Sequence, residues 1–544
     1  MLAMIYQIQL ASIALLNLSG LSLGQQICSP STFGNLTLFG GKILQIQAQQ
    51  HRGLAAEVGP EQNHYAKNIT GLEVCEIVVT YTHPGYNDEI NTAIWLPPAE
   101  QWSGRLLGAG GGGFVAGAES NATLIWAASE GFAVVSTDGG HAAEDAMNME
   151  KWAFLSSGNV NWVQLQDWAS TALDDAALLG KSVSHIFYGT PPQKSYFNGC
   201  STGGRQGFQL AQRYPDQYDG ILAGAPAIFW NEFVMQMFWP QAVMNGLGEY
   251  PSPCELQAIE MASIEACDEL DGLKDGIITA PKHCNFNAST GVGKQYMCMS
   301  TMQNVTITKA AATVAQRTWD GSISPEGDFL WHGIDKGASF AVAANTTCSN
   351  GTCTGAPFIF PELWLKYFLT RDPSFDTLTV NTTNFESYMS QAVDLYDSVI
   401  GTSNPNLKQF SRRGGKLLVW HGLADTCIAP DATADYTRRV YERDPNAGDY
   451  YRYFEAPGVD HCGGGLGWFP GSALNNLIAW VENGTAPDSL DAETQDSSGA
   501  MDGMDGMPSQ PSTFVKRTAK LCLWPKSLVY VSGDPDRAES FVCR

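Results

Sequence analysis

Short apolar runs that end in glycine or acidic turns alternate, over both ends of the chain, with stretches of helical periodicity. Residues 105–109 (Arg-Leu-Leu-Gly-Ala) form a strand that runs into four glycines at 110–113. Residues 131–138 (Gly-Phe-Ala-Val-Val-Ser-Thr-Asp) predict a second buried strand, and 165–179 carries apolar residues at helical spacing. The stretch from Lys194 to Gly207 reads as a short half-apolar strand, an abrupt glycine-flanked turn and the start of an amphipathic helix that runs to about Tyr214. Another short strand follows at 218–223, and the rhythm returns at 415–422 and again before Phe454-Glu455-Ala456. Upstream, the alternation near Ile77-Val78-Val79 predicts edge strands between Gln25 and Thr80. Strands alternating with helices predict a parallel sheet covered on both faces, the doubly wound α/β class.

That rhythm breaks from about Ala227 to Pro405, a stretch rich in Trp, Met, Asn and Thr. We read it as a large inserted lid, which divides the chain into a first catalytic part at 25–227, a lid at 228–405 and a second catalytic part at 406–544. Residues 496–512, with Met501-Asp502-Gly503-Met504-Asp505-Gly506-Met507, are low in complexity and predict a surface loop. Residues 1–24 hold an apolar run around Ile13-Ala14-Leu15-Leu16 and end in small residues, as a secretory signal does, although no Lys or Arg precedes the run.

Composition adds the compartment. All 13 cysteines lie beyond residue 24, and so do nine Asn-x-Ser/Thr acceptors, at Asn35, Asn68, Asn121, Asn287, Asn304, Asn345, Asn350, Asn381 and Asn483. Together they point to an oxidising route and a secreted, extracellular glycoprotein. An odd count leaves at least one thiol unpaired. A formal charge of −24 argues against nucleic acid and against anionic membranes as partners, and no later segment has the 18 uninterrupted apolar residues of a spanning helix.

Candidate chemistry centres on Gly199-Cys200-Ser201-Thr202-Gly203. At a strand-to-helix turn this is the pattern of a nucleophile elbow, although an ordinary glycine-rich turn satisfies the same string. A serine hydroxyl needs a base, and the base an orienting carboxylate; in doubly wound hydrolases they follow in the order Ser, Asp, His. Of nine histidines, only His421 and His461 lie in loops after strands downstream of the elbow. His461 is the preferred base, because His421 sits so near a strand end that packing is its expected role. Asp425 is the preferred acid, since Asp460 adjoins the base and cannot easily fold back to its ring, while Asp138 precedes the serine. For the oxyanion, the Thr202 N–H supplies one donor and the glycine stretch the other, Gly112 being the choice within it. A dinucleotide-binding reading of those glycines fails, because no G-x-G-x-x-G there leads into a helix with an acidic residue at the right distance. Cys200 precedes the serine and Cys462 follows the histidine. Bonded, their Cα atoms would lie about 4.4–6.8 Å apart and force the two loops together; separate bridges elsewhere are the alternative.

These residues resemble the tannase and feruloyl esterase family. The likeness includes Gly199 to Gly207, Asp425 and His461-Cys462, and also Gly139-Gly140-His141, Tyr214-Pro215-Asp216-Gln217-Tyr218-Asp219-Gly220 and Trp480-Val481-Glu482-Asn483-Gly484. It implies an α/β-hydrolase fold with a lid, a triad of Ser201, Asp425 and His461, and a Cys200–Cys462 bond. It also implies bonds Cys28–Cys75, Cys267–Cys284 and Cys522–Cys543. Cys348–Cys353 is suggested by proximity alone, and Cys254, Cys298 and Cys427 stay unassigned.

Within the lid, residues 267–277 space carboxylates three and four apart, with two glycines for sharp turns. Hard oxygen ligands of this kind suit Ca²⁺, though the loop is no EF-hand and spacing alone leaves a solvated acidic turn equally open. The resemblance implies a structural Ca²⁺ held by the side chains of Asp268, Asp271 and Asp275 with the carbonyls of Leu273 and Ile277.

The resulting expectation is a secreted serine carboxylesterase acting on a small aromatic ester or a feruloylated polysaccharide. Feruloyl esterase activity is preferred, with tannase as the alternative and terephthalate monoesters third. Phe229, Trp230, Phe238, Trp239 and Trp331 could stack on the acid or belong to the core. A catalytically silent, secreted carbohydrate-binding protein is the reading from another class.

Overall fold

The computed structural model describes residues 27–59, 63–298, 300–495 and 515–544; residues 1–24, read above as a signal, and the low-complexity stretch 496–512, expected as a surface loop, lie outside them. Nine strands form one sheet: β1 (Lys42–Val58), β2 (Lys67–Thr82), β3 (Ile90–Leu96), β4 (Arg105–Ala109), β5 (Ala133–Thr137), β6 (Lys194–Cys200), β7 (Gly220–Gly224), β8 (Lys416–Gly422) and β9 (Tyr451–Ala456). Their order is β1-β2-β3-β5-β4-β6-β7-β8-β9. From β5 to β9 neighbouring strands are parallel, but β1, β2, β3 and β5 pair antiparallel, so the sheet is mixed and not wholly parallel as its rhythm suggested. The cause is connection length: the links β1 to β2 and β2 to β3 are too short for a crossover helix, which a parallel pair requires.

Period-2 alternation distributes the parallel strands' side chains over two cores. Leu106 and Val135 face α2 (Ala172–Tyr188) with Ala176, Leu179 and Val183. Their neighbours Leu107 and Val134 face the opposite side with Leu124, Ala127 and Ala128 of α1 (Asn121–Ser129). In β8, likewise, Leu418 and Trp420 join that side while Leu417 and Val419 face the other. The helical stretch expected over 165–179 is longer and interrupted: a short helix at Trp162–Gln166, a π-helical turn at Asp167–Thr171, then α2, which ends at Gly189 with φ of 75°.

The chain leaves the sheet after β7 and returns at β8. Between them lie α4 (Trp230–Leu247), α5 (Pro253–Cys267), α6 (Lys309–Asp320) and α7 (Phe385–Ile400), with three small hairpins; α3 (Thr202–Arg213) follows the serine. A Ser252/Glu255 capping box with Pro253 in the first turn starts α5. The insertion does not hold a core apart. Trp230, Met235, Trp239 and Phe385 share one apolar cluster with Phe208, Ile221 and Val419 of the sheet and its helices.

Candidate active site

The turn between β6 and α3 places Ser201 at φ 61°, ψ −122°, backbone that an L-residue adopts only under constraint. Ser201 N–H donates to Gly224 O at 3.0 Å, and its carbonyl accepts from Arg205 and Ala227. Glycine is required beneath it, since a Cβ on Gly199 would lie 2.6 Å from the Gly203 backbone. The loop at 110–113 rests on the same turn, with Gly203 N–H donating to Gly111 O at 2.8 Å.

Two further loops converge on the hydroxyl from the ends of β8 and β9. His461 Nε2 lies 2.8 Å from Ser201 Oγ, and its Nδ1 lies 2.7 Å from Asp425 Oδ2. Asp425 is fully buried, and its carboxylate is saturated. Oδ1 accepts the N–H groups of Cys427 and Ile428, and Oδ2 also meets His421 Nε2 at 3.0 Å. Burial opposes its charge, but His461, the hydrogen bonds and His421 overcome that and hold the carboxyl well below the usual carboxylate range. Burial likewise pushes the His461 imidazolium down, yet the Asp425 charge and hydrogen bond, then Asp460, raise it above the ordinary histidine value. Asp460 sits on backbone instead, accepting from Thr426 N–H, Thr426 Oγ1 and His461 N–H. His421 is a buried second donor to Asp425, with its other nitrogen 2.8 Å from Thr433 Oγ1.

Cys200 and Cys462 are bonded, their Cα atoms 5.8 Å apart, across 262 residues of sequence. The other bridges are Cys28–Cys75, Cys254–Cys298, Cys267–Cys284, Cys348–Cys353 and Cys522–Cys543. Cys427 is the free thiol, and removal from water together with the charges of Asp425 and Asp460 pushes it well above its ordinary value, away from thiolate reactivity.

Thr202 opens α3, so helix geometry gives its N–H no partner within the helix, and its Oγ1 donates to Gly113 O at 2.7 Å. In the facing loop, Gly110 N–H is committed to Asn198 O and Gly111 N–H to Gln206 Oε1. Gly112 and Gly113 remain. A Cβ on Gly112 would meet a Glu119 carboxylate oxygen at 2.0 Å, and one on Gly113 (φ 55°) the Phe360 ring of the insertion at 2.4 Å. Sequence reasoning missed Gln206, which also donates to Ala116 O at 2.7 Å, and the role of His421. Gln206 lies inside the glycine-rich string, but only its facing loop gives it meaning.

Of the five aromatic residues named as possible stacking partners, Phe229, Trp230, Phe238 and Trp239 are interior, packed on one another's neighbours and closed to a ligand. Trp331, itself buried, borders only a small recess with Phe233, Met237, His332 and Cys427, beside the Asp425 loop.

The acidic loop of the insertion buries two of its three aspartates. Asp268 accepts from Asp275 and Gly276 N–H, Asp271 from Leu273 N–H, and no cationic side chain among the described residues pairs with either. Burial, then the charges of Asp275 and Asp268, push Asp271 up to about 6. Such a loop fits a bound cation, which would supply the missing positive charge. Asp275 differs from expectation in part: its Oδ2 is taken by Arg517 at 2.7 Å. The glycosylation acceptors are exposed except Asn381, which is half-buried and holds the turn at Thr383. No helix among the described residues is long and apolar enough to cross a membrane.

A mixed sheet with helices on both faces, and a serine elbow at its strand ends, defines an α/β-hydrolase. The family model "Tannase and feruloyl esterase" matches residues 75–544. A probable feruloyl esterase of Arthroderma benhamiae is 39% identical over 509 residues, covering 93% of this chain and 91% of that one. The tannase of Aspergillus oryzae is 28% identical over 514 residues, 84% of each. Among solved structures, the tannin acyl hydrolase from Aspergillus niger matches with a TM-score of 0.83 at 25% identity over 95% of both chains. Feruloyl esterase B from Aspergillus oryzae matches at 0.75 and 24% identity, over 94% of this chain and 98% of that one. The chain belongs to the tannase and feruloyl esterase family and is a carboxylic ester hydrolase.

Proposed function

We propose that this protein is a secreted serine esterase that cleaves esters of aromatic hydroxy acids, with hydroxycinnamates such as ferulate, borne on plant cell-wall polysaccharide, as preferred substrates. The continuous relay Ser201 Oγ, His461, Asp425 carries the reading. His461 Nε2 takes the serine proton as Oγ attacks the ester carbonyl, and Asp425 holds the ring and stabilises the imidazolium. The N–H groups of Thr202 and Gly112 hold the oxyanion. His461 then protonates the departing alcohol, and a water molecule, activated by the same nitrogen, releases the acid and restores Ser201. The names of the relatives support an aromatic acid, and the probable feruloyl esterase at 39% identity favours ferulate over gallate. Galloyl ester hydrolysis is the second reading, favoured by the likeness to the tannin acyl hydrolase.

The six disulfides and exposed glycosylation acceptors support secretion. Asp268 and Asp271, with Asp275 and the carbonyls of Leu273 and Ile277, would hold a structural Ca²⁺. Two experiments test the activity. Ser201→Ala should lower hydrolysis of methyl ferulate and methyl gallate alike by at least about 10⁴-fold and abolish fluorophosphonate labelling; near-normal turnover would exclude this nucleophile. Comparing kcat/KM for methyl ferulate, methyl caffeate and methyl gallate on the wild-type enzyme then ranks the acids, and a preference for gallate replaces the first reading by the second.

A further inference from the structure

The β2–β3 turn and the start of the π-helical turn bring together a cluster that ester hydrolysis does not use. One ring nitrogen of His83 and one carboxylate oxygen each of Asp88 and Asp167 lie within 4.8 Å of one another. All are withdrawn from water: the side chains of His83, Asp88 and Asp175 are 13%, 1% and 7% exposed, and Asp167 is 2% exposed. Asp167 Oδ2 is buried with no hydrogen-bond partner among the described residues. No Lys or Arg among them pairs with these carboxylates, so one histidine faces three aspartates. A buried, unpartnered carboxylate is costly unless a positive charge meets it or a proton neutralises it.

We propose that His83, Asp88 and Asp167 bind a divalent cation that accepts mixed nitrogen and oxygen ligands, Zn²⁺ or Mn²⁺, with Asp175 orienting the histidine. His83 Nε2 lies 3.1 Å from Asp175 Oδ2, which also accepts from Tyr81 OH at 3.1 Å. That arrangement fixes the ring and directs Nδ1 toward Asp88, 2.5 Å away, in the manner of a carboxylate behind a metal-bound histidine. An imidazole among the donors disfavours Ca²⁺, which takes oxygen ligands. Binding at Nδ1 displaces the proton that His83 shares with Asp88; it leaves to solvent as the nitrogen lone pair turns to the metal. The ion would join the β2–β3 turn to a backbone segment that reaches the elbow. Asp167 opens the π turn, Ala169 O in that turn accepts from Arg205 Nη2 at 3.0 Å, and Arg205 N–H donates to Ser201 O.

The test uses the full chain, stripped with chelator and then resupplied with excess Ca²⁺ to keep the acidic loop filled. One equivalent of Co²⁺ should give a visible d–d band, displaced by one equivalent of Zn²⁺. Zn²⁺ titration calorimetry in buffers of differing ionisation enthalpy should show about one proton released per ion. Asp167→Asn and His83→Gln should each weaken Zn²⁺ binding at least tenfold with circular dichroism unchanged, while Asp271→Asn leaves it unaltered. Wild-type protein that takes up neither ion, or both variants binding as wild type, overturns the proposal. If the variants fail to fold, paramagnetically shifted imidazole N–H resonances in the Co²⁺-loaded wild type decide, and their absence overturns it equally.

Discussion

Asp425 accepts four hydrogen bonds with its two oxygens and is sealed from water, so it is a fixed negative charge against which His461 titrates. The sign of the resulting pH dependence follows. His461 must be neutral to accept the serine proton, and its pKa is raised, so kcat/KM should fall as pH drops through a value above the ordinary 6.5. Asp425→Asn removes the largest upward cause and should move that limb to lower pH while cutting kcat by about 10³–10⁴-fold. A pH profile whose acidic limb lies at or below 6.5 in the wild type would show that burial, and not Asp425, dominates. At this scale much was legible. Ser201 and Cys200 stand in one local string; chain order set Asp138 aside, and the places of His421 at a strand end and Asp460 beside the base left His461 and Asp425 as the candidates. His421 was harder, because its contact with Asp425 depends on a curl of backbone that places Ile428 N–H and His421 Nε2 on opposite oxygens of one carboxylate.

Among elements, the Cys200–Cys462 bond ties the elbow to the loop after β9. Closing so long a loop in the unfolded chain corresponds to about 5 kcal/mol in the entropy model. Its position makes it more than a staple, since one cysteine adjoins Ser201 and the other His461, the proposed nucleophile and base. The paired variant Cys200→Ser/Cys462→Ser should lose about 2–5 kcal/mol in stability, and mild reduction of the wild type should lower kcat before the near-UV circular dichroism changes. Activity that survives until global unfolding would mean hydrogen bonds alone position His461. The glycine loop was legible only as close-approaching backbone. Which N–H points outward was not, because Gln206 and Asn198, distant in sequence, occupy those of Gly111 and Gly110.

For the whole molecule, the insertion matters as part of the core. Trp230 and Trp239 belong to one apolar cluster with sheet residues, so the insertion and the sheet should unfold together, and ligands of the insertion should stabilise both. With Ca²⁺ held in the acidic loop as proposed, chelation should therefore lower the single unfolding temperature of the enzyme by a few degrees, with kcat on methyl ferulate below that transition little changed. Asp271→Asn should abolish the calcium dependence. Two separate transitions, with only one moved by chelator, would show an independently folding insertion. Composition suggested an excursion over 228–405 and its aromatic richness. It could not say that Phe238, Trp239 and Trp331 all face inward, because burial depends on what packs opposite.

The sequence by itself determined the parallel half of the sheet and the serine turn, and it singled out Asp425, His461 and the two cysteines beside Ser201 and His461 as candidates. Each is carried by local periodicity or by adjacent residues. Tertiary structure alone decided three other matters: the antiparallel edge, the commitment of particular glycine N–H groups, and the meeting of His83 and Asp88 with Asp167. These join residues far apart in the chain, and their geometry is set by packing across the sheet, which no local pattern records.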